Sequence, residues 1–229
     1  MDVLVKYLCK YSFIRLRSSL ESPVVIHSVP GSGKSSLIRE IIREDRRFGA
    51  ITYGEPDTVD LTGRQIQSAE DAPICEFLLV DEYLNGPWIP NAFAVFADPL
   101  QGGTIAPKPA DFICRISRRF GHCTAHLLQE LGFDVQACGE DAVQVCDIYQ
   151  VDPRDTIIFY EEEVATLLSR HNVQAYCVNE LRGKTFESVT FVTSNSHIPP
   201  DSRADVFQAL TRHRTKLLIL CPNATFAST

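Results

Sequence analysis

The octapeptide Ser28-Val29-Pro30-Gly31-Ser32-Gly33-Lys34-Ser35 constrains this chain more than any other stretch. It follows Pro23-Val24-Val25-Ile26-His27, a short apolar run of the kind that forms a buried parallel strand. It leads into Ser35 to Arg47, where Leu37, Ile38, Ile41 and Ile42 share one stripe and Arg39, Glu40, Arg43 and Glu44 the other, predicting an amphipathic helix. Strand, Gly-rich turn and helix in that order match the phosphate-binding spacing G-x-x-x-x-G-K-[ST], with Ser28 where the first Gly is usual. Gly31 and Gly33 let backbone N–H groups turn inward on an anion, and the helix N-terminus adds its positive end. On this reading Ser28, Gly31, Ser32, Gly33, Lys34, Ser35 and Ser36 bind the phosphates of a nucleoside triphosphate. Lys34 reaches the β and γ phosphates, and the Ser35 hydroxyl ligates Mg²⁺.

A partner for this loop follows the apolar run Phe77-Leu78-Leu79-Val80, namely Asp81-Glu82. A carboxylate at the C-terminal end of a parallel strand points into the crevice where α/β sheets bind ligands. Asp81 is expected to hold Mg²⁺, partly through water, and Glu82 to orient or deprotonate the attacking water. Farther on, Ala97-Asp98-Pro99-Leu100-Gln101 follows another apolar strand over Ala92 to Ala97, and Gln101 is the right type to sense a γ-phosphate.

Short apolar strands alternating with helical segments predict an α/β fold with parallel sheets. Gly102, Gly103 and the prolines up to Pro109 place a domain boundary shortly after that loop, giving residues 1–112, with a short N-terminal segment 1–20, and residues 113–229. In the second half, Thr124 to Leu131, Glu161 to Ser169 and Ala204 to Arg212 read as helices. Thr156 to Tyr160, Val189 to Thr193 and Lys216 to Cys221 read as strands.

The formal net charge is −7, yet residues 1–47 hold nine Lys or Arg against five Asp or Glu. Any nucleic-acid contact must therefore use local basic patches and weaken with salt. No apolar run approaches the roughly 20 residues that span a bilayer, and Lys6, Lys10, Arg15 and Arg17 interrupt any signal-peptide core. The eight cysteines are scattered without a Cys-x-x-Cys pair, which fits a reduced compartment. A soluble cytosolic protein is expected.

Beyond the loop, Asp81-Glu82 and Asp98-Pro99-Leu100-Gln101, the chain carries Arg118-Arg119-Phe120-Gly121, Gly183-x-Thr185-Phe186 and Ala209-Leu210-Thr211-Arg212. This ordered series resembles the superfamily 1 helicases of positive-strand RNA viruses, of the alphavirus-like type. More narrowly it resembles the family of first triple gene block movement proteins of potexviruses and their relatives, over residues 20–222. The resemblance implies two RecA-like P-loop NTPase lobes with ATP and Mg²⁺ between them. It makes Arg119 and Arg212 the arginines that the second lobe points at the γ-phosphate. Ala97 stands where the family often has Gly, and Arg118 where His is frequent. The RNA contacts it implies fall on Thr52-Tyr53-Gly54, Lys184 and Thr185, with Tyr53 stacking on a base and Lys184 meeting a phosphate.

The implied activity is a Mg²⁺-dependent ATPase, with RNA helicase activity, that transports the viral genome from cell to cell through plasmodesmata and suppresses host RNA silencing. The implied partners are single-stranded viral RNA, coat protein or virions, other movement proteins, host silencing factors and further copies of the chain, in the host cytoplasm and at plasmodesmata. The competing reading is a non-motor interaction protein with a regulatory nucleotide site; a replicative helicase domain is a third, weakened by the short chain. Blander roles suit other features. His122 and His126 are read as helix-face side chains rather than zinc ligands, Glu161-Glu162-Glu163 as helix capping and solubility, and Val3 to Leu20 as packing on the first lobe.

Overall fold

The computed structural model describes residues 1–59, 61–181 and 183–227. Arg182, inside the stretch around Gly183 and Thr185, lies outside them. The chain forms two compact units, residues 1–116 and 117–229.

The first unit holds helix α1 (Asp2–Lys10), strands β1 (Ile14–Arg15) and β2 (Val24–Ser28), helix α2 (Lys34–Glu44), and strands β3 (Phe48–Thr52), β4 (Gln67–Ser68), β5 (Phe77–Asp81), β6 (Ala94–Ala97) and β7 (Phe112–Cys114). They make one sheet in the order β1-β7-β2-β6-β5-β3-β4. All the pairings are parallel except that of β1 with β7. Because β7 pairs with β2, residues 113 and 114 belong to this unit, so it runs to Ile116 rather than ending at 112. Burial of β2, β3 and β6 on both faces explains their continuous apolar character.

Helix α2 buries the stripe Leu37, Ile38, Ile41 and Ile42, each at most 1% exposed. Each stabilises the unit by about 1.5–3 kcal/mol. The helix stops at Glu44, three residues before the expected end, because Asp45 turns extended and its carboxylate accepts the Arg47 backbone N–H at 3.0 Å. Helix α1 lies on α2: Leu4 and Leu8 enter the core, while Lys6 and Lys10 donate to Glu44 and Glu40 at 2.7 and 2.6 Å.

The second unit holds β8 (Ile116–Gly121, beginning one residue earlier), α3 (His122–Glu130), β9 (Gln136–Gly139), β10 (Ala142–Asp147), β11 (Thr156–Phe159), α4 (Glu162–Arg170), β12 (Tyr176–Cys177), β13 (Phe186–Val192), α5 (Arg203–Leu210) and β14 (His213–Cys221). Five strands form a parallel sheet in the order β10-β14-β13-β11-β12, and β8 pairs with β9 separately.

Two expectations change here. The final helix does not reach Arg212: it ends at Leu210, and His213 and Arg214 begin β14. Sheet pairing captures the segment, since the Phe186 N–H donates to the Arg212 carbonyl at 2.8 Å. Nor does the Glu161 side chain cap α4. It accepts hydrogen bonds from Thr193 Oγ1 at 3.0 Å, the Ser194 N–H and Oγ at 3.1 Å each, and Asn195 Nδ2, tying the end of β11 to the turn after β13.

Candidate nucleotide site and arginine turn

Parallel pairing aligns the carboxyl ends of β2, β6, β5 and β3, and the expected groups of the first unit emerge there side by side. The turn after β2 requires its glycines: Gly31 and Gly33 have φ of 74° and 97°, a region costly for residues with a Cβ. Gly33 is the N-cap of α2 and offers no side chain to the first N–H groups of that helix, which leaves them for an anion. Ser28 replaces the usual glycine without disturbing the turn, because its buried hydroxyl accepts from Ser32 Oγ at 2.7 Å. Lys34 is 7% exposed and its ammonium lies 3.4 Å from the Ser28 carbonyl, folded over the loop.

Ser35 Oγ donates to Asp81 Oδ2 at 3.0 Å. Two adjacent oxygen ligands of a Mg²⁺ ion stand about 3 Å apart, so the Ser35 and Asp81 oxygens fit such a cation. Asp81 is buried, and burial followed by the neighbouring Glu82 charge pushes its pKa up to about 6, against the pull of Lys34 and the Ser35 hydroxyl. Such a carboxylate gains from any cation brought to it. Glu82 sits in the left-handed region at φ 54°, turning its side chain away from the strand line, where Asn85 Nδ2 approaches its Oε2 at 3.4 Å.

Gln101 Nε2 donates to Asp98 Oδ2 at 2.8 Å, and the Leu100 N–H donates to Asp98 Oδ1 at 3.0 Å. Asp98 thus holds Gln101. Its role was not assigned from the sequence, although a carboxylate ending the strand beside β2 was a usable signal. Burial raises its pKa to about 6 as well. His27 and Tyr83 were also missed. His27 Nε2 and the Tyr83 hydroxyl are 2.9 Å apart, and that hydroxyl accepts from the Lys108 N–H at 3.0 Å. Burial, with Lys34 nearby, pushes the His27 pKa down to about 4.

Tyr53, at the end of β3, is half-buried. Its hydroxyl donates to the Pro87 carbonyl at 2.9 Å, and its ring lies against Gly86, where a Cβ would come within 2.3 Å of it.

In the second unit, Arg119 and Arg212 meet at one turn. Arg119 Nη1 donates to the Thr211 carbonyl at 3.2 Å. Arg212 is 2% exposed and donates to Gln208 Oε1 at 3.1 Å and to the Lys184 carbonyl at 3.4 Å. Lys184 itself is exposed and Thr185 half-buried beside it. The same region holds a group absent from the sequence reading: Asp141, His213 and Thr124, all buried.

A parallel sheet with a phosphate loop after one strand and paired carboxylates after its neighbours is the frame of a P-loop NTPase. The family model of the viral superfamily 1 RNA helicase core domain matches residues 24–221. Among curated proteins, the movement and silencing protein TGBp1 of Lily symptomless virus is 52% identical, with 100% of both chains covered. Those of Chrysanthemum virus B and Poplar mosaic virus are 46% and 44% identical, covering 100% and 99% of both chains. The chain belongs to the TGBp1 movement and silencing proteins, within the viral superfamily 1 RNA helicases.

Among solved structures, the complex of the arterivirus helicase, nonstructural protein 10, with DNA superposes with a TM-score of 0.61 at 15% identity, over 86% of this chain and 60% of that one. The same helicase in another crystal structure gives a TM-score of 0.53 at 14% identity, over 96% and 56%. This chain therefore spans little more than half of those helicases, and the likeness is one of fold.

Proposed function

We propose that the chain is a Mg²⁺-dependent ATPase, stimulated by single-stranded RNA, serving cell-to-cell transport of a viral genome and suppression of host silencing. The observation that carries the reading is the Ser35 hydroxyl at 3.0 Å from Asp81, beside a lysine folded over a glycine turn. In this reading Ser28, Gly31, Ser32, Gly33, Lys34, Ser35 and Ser36 bind the phosphates. Ser35 and Asp81 hold Mg²⁺, which when bound neutralises phosphate charge. Glu82 orients the attacking water, and Gln101, fixed by Asp98, reports on the γ-phosphate.

Arg119 and Arg212 neutralise charge spreading over the equatorial oxygens of the transferred phosphoryl group. Tyr53, Lys184 and Thr185 meet RNA. The relatives' name supports the movement and silencing role, and the arterivirus helicase solved with DNA supports a nucleic-acid partner. Coat protein or virions, other movement proteins, host silencing factors and self-association complete the proposal, acting in the host cytoplasm and at plasmodesmata. Among the described residues no helix is long and apolar enough to cross a membrane.

The test is phosphate release from ATP, with and without single-stranded RNA, for wild type and Lys34→Ala, alongside nucleotide binding. RNA-stimulated release that disappears in Lys34→Ala is the expected result. Binding without release in wild type would overturn the ATPase and leave a nucleotide-gated interaction protein.

A further inference from the structure

Asp141, in the turn between β9 and β10, reaches two segments at once. Its Oδ1 accepts the Cys123 N–H at 2.9 Å, and both its oxygens lie 3.4 Å from the Thr124 N–H, at the start of α3. Its Oδ2 lies 3.3 Å from His213 Nε2, and Thr124 Oγ1 lies 2.9 Å from the same nitrogen. The Asp141 and His213 side chains are both 0% exposed. An ionised carboxylate has no proton to give, so Nε2 carries the proton and donates to it. His213 Nδ1 is then buried without a hydrogen-bond partner among the described residues.

A cap for α3 alone would not need this. The Cys123 and Thr124 N–H bonds satisfy the helix end, whereas a buried histidine with one orphaned nitrogen adds a desolvation cost that an apolar side chain would avoid. What the histidine adds is a tether for the turn that carries Arg212, the residue immediately before it. The β8–α3 segment meets this turn a second time through Arg119 and the Thr211 carbonyl. Contact between that segment and the Asp141 turn is close: a Cβ on Gly121 would stand 2.5 Å from the Asp141 nitrogen and 2.6 Å from the Gly139 carbonyl oxygen.

We propose that Asp141, Thr124 and His213 form a buried clamp that positions Arg212 for phosphate chemistry. They are positioning residues, and the inference rests on the ATPase reading above. Asp141→Asn can still accept the backbone N–H groups on its oxygen but turns an NH₂ toward the protonated Nε2. Thr124→Val keeps the shape of its side chain and removes the hydroxyl, and Thr124→Ser restores the hydroxyl.

The experiment measures kcat, KM and nucleotide affinity for these variants in wild-type and Arg212→Ala backgrounds, with circular dichroism and melting to establish folding. Asp141→Asn and Thr124→Val are expected to lower kcat by about tenfold to a hundredfold, with KM and affinity changed by less than about twofold. Thr124→Ser is expected to recover most of that loss. In the Arg212→Ala background the same substitutions should lower kcat by less than about twofold, because their effect runs through Arg212. Undiminished kcat in folded Asp141→Asn and Thr124→Val overturns the clamp while leaving the ATPase reading intact. So does an equal fall in both backgrounds, which marks a structural role. A wild type that binds ATP without hydrolysing it overturns the ATPase reading and the clamp with it.

Discussion

Asp81 in the first unit and Asp141 in the second are both buried, yet their electrostatics run in opposite directions. Asp81 ends a strand beside another carboxylate, and burial together with Glu82 pushes its pKa up to about 6. Burial also works against the ionised form of Asp141. There, hydrogen bonds from His213, Thr124 and the backbone of Gly121 and Thr124 outweigh it and hold the carboxyl well below the usual carboxylate range. The difference separates a carboxylate that burial and a neighbouring charge disfavour from one that hydrogen bonds within the protein satisfy. Around Asp81, Asp98 and Lys34, on the proposed reading, a bound cation and phosphate would stabilise the charges and the open helix end, and ligand would then stabilise this unit. Around Asp141 the hydrogen bonds are made within the protein, and their product is a fixed position for an arginine.

The sharpest way to break this contrast is to remove the arginine. Arg212→Ala is expected to lower kcat by about 10³-fold, as for other arginines that neutralise a phosphoryl transition state, while ATP affinity changes by less than about twofold. Equilibrium binding of a fluorescent nucleotide with steady-state kinetics checks this. A matching loss of affinity would show that the second unit also holds the ground state.

A smaller effect is expected at Asp98→Asn, which weakens the hold on Gln101. Turnover should fall by about tenfold, and Gln101→Ala in the same chain should add little, since the two share one hydrogen bond.

Stability against pH sharpens the comparison further. Asp81 and Asp98 titrate near 6 when folded and near 3.8 when unfolded, so the folded state binds more protons between those values. Their contribution is fully favourable below about pH 4 and is lost as pH rises to about 6. His27, pushed down to about 4, works oppositely between about 4 and 6.5. The depressed Asp141 loses its contribution only as pH falls below about 4. Urea unfolding should therefore show Asp98→Asn gaining on wild type from pH 4 to pH 7, by on the order of 1 kcal/mol or more. An unchanged difference across that range would mean that Asp98 has the same pKa in the folded and unfolded states.

The smallest expected effect belongs to Gly86→Ala, which drives a methyl group into the Tyr53 ring. A destabilisation of about 1–3 kcal/mol is expected, with a loss of RNA affinity below about tenfold. Loss of stability without loss of RNA affinity would assign Tyr53 to packing alone.

Much of the first unit was legible because its chemistry is local. Gly31 to Ser35 are contiguous, their turn is dictated by positive φ, and the apolar stripe of α2 carries its own period. Asp81 and Asp98 each end a recognisable apolar run. In the second unit the expected helix forms but ends at Leu210, short of Arg212, because pairing with Phe186 draws the chain into a strand, a contact 26 residues distant in sequence. Glu161 looked like a cap for its own helix and instead binds the turn at 193–195, for the same reason.

What the sequence determined by itself was the class of fold and the glycine turn between β2 and α2, since glycine stereochemistry, hydrophobic period and the order of strand, loop and helix act over a few residues. Only the tertiary structure decided which carboxylates are desolvated, that Asp98 holds Gln101, and that Asp141 and His213 meet beside Arg212. Those depend on strand order and burial, which bring together groups 72 residues apart, such as Asp141 and His213, and set the dielectric around them.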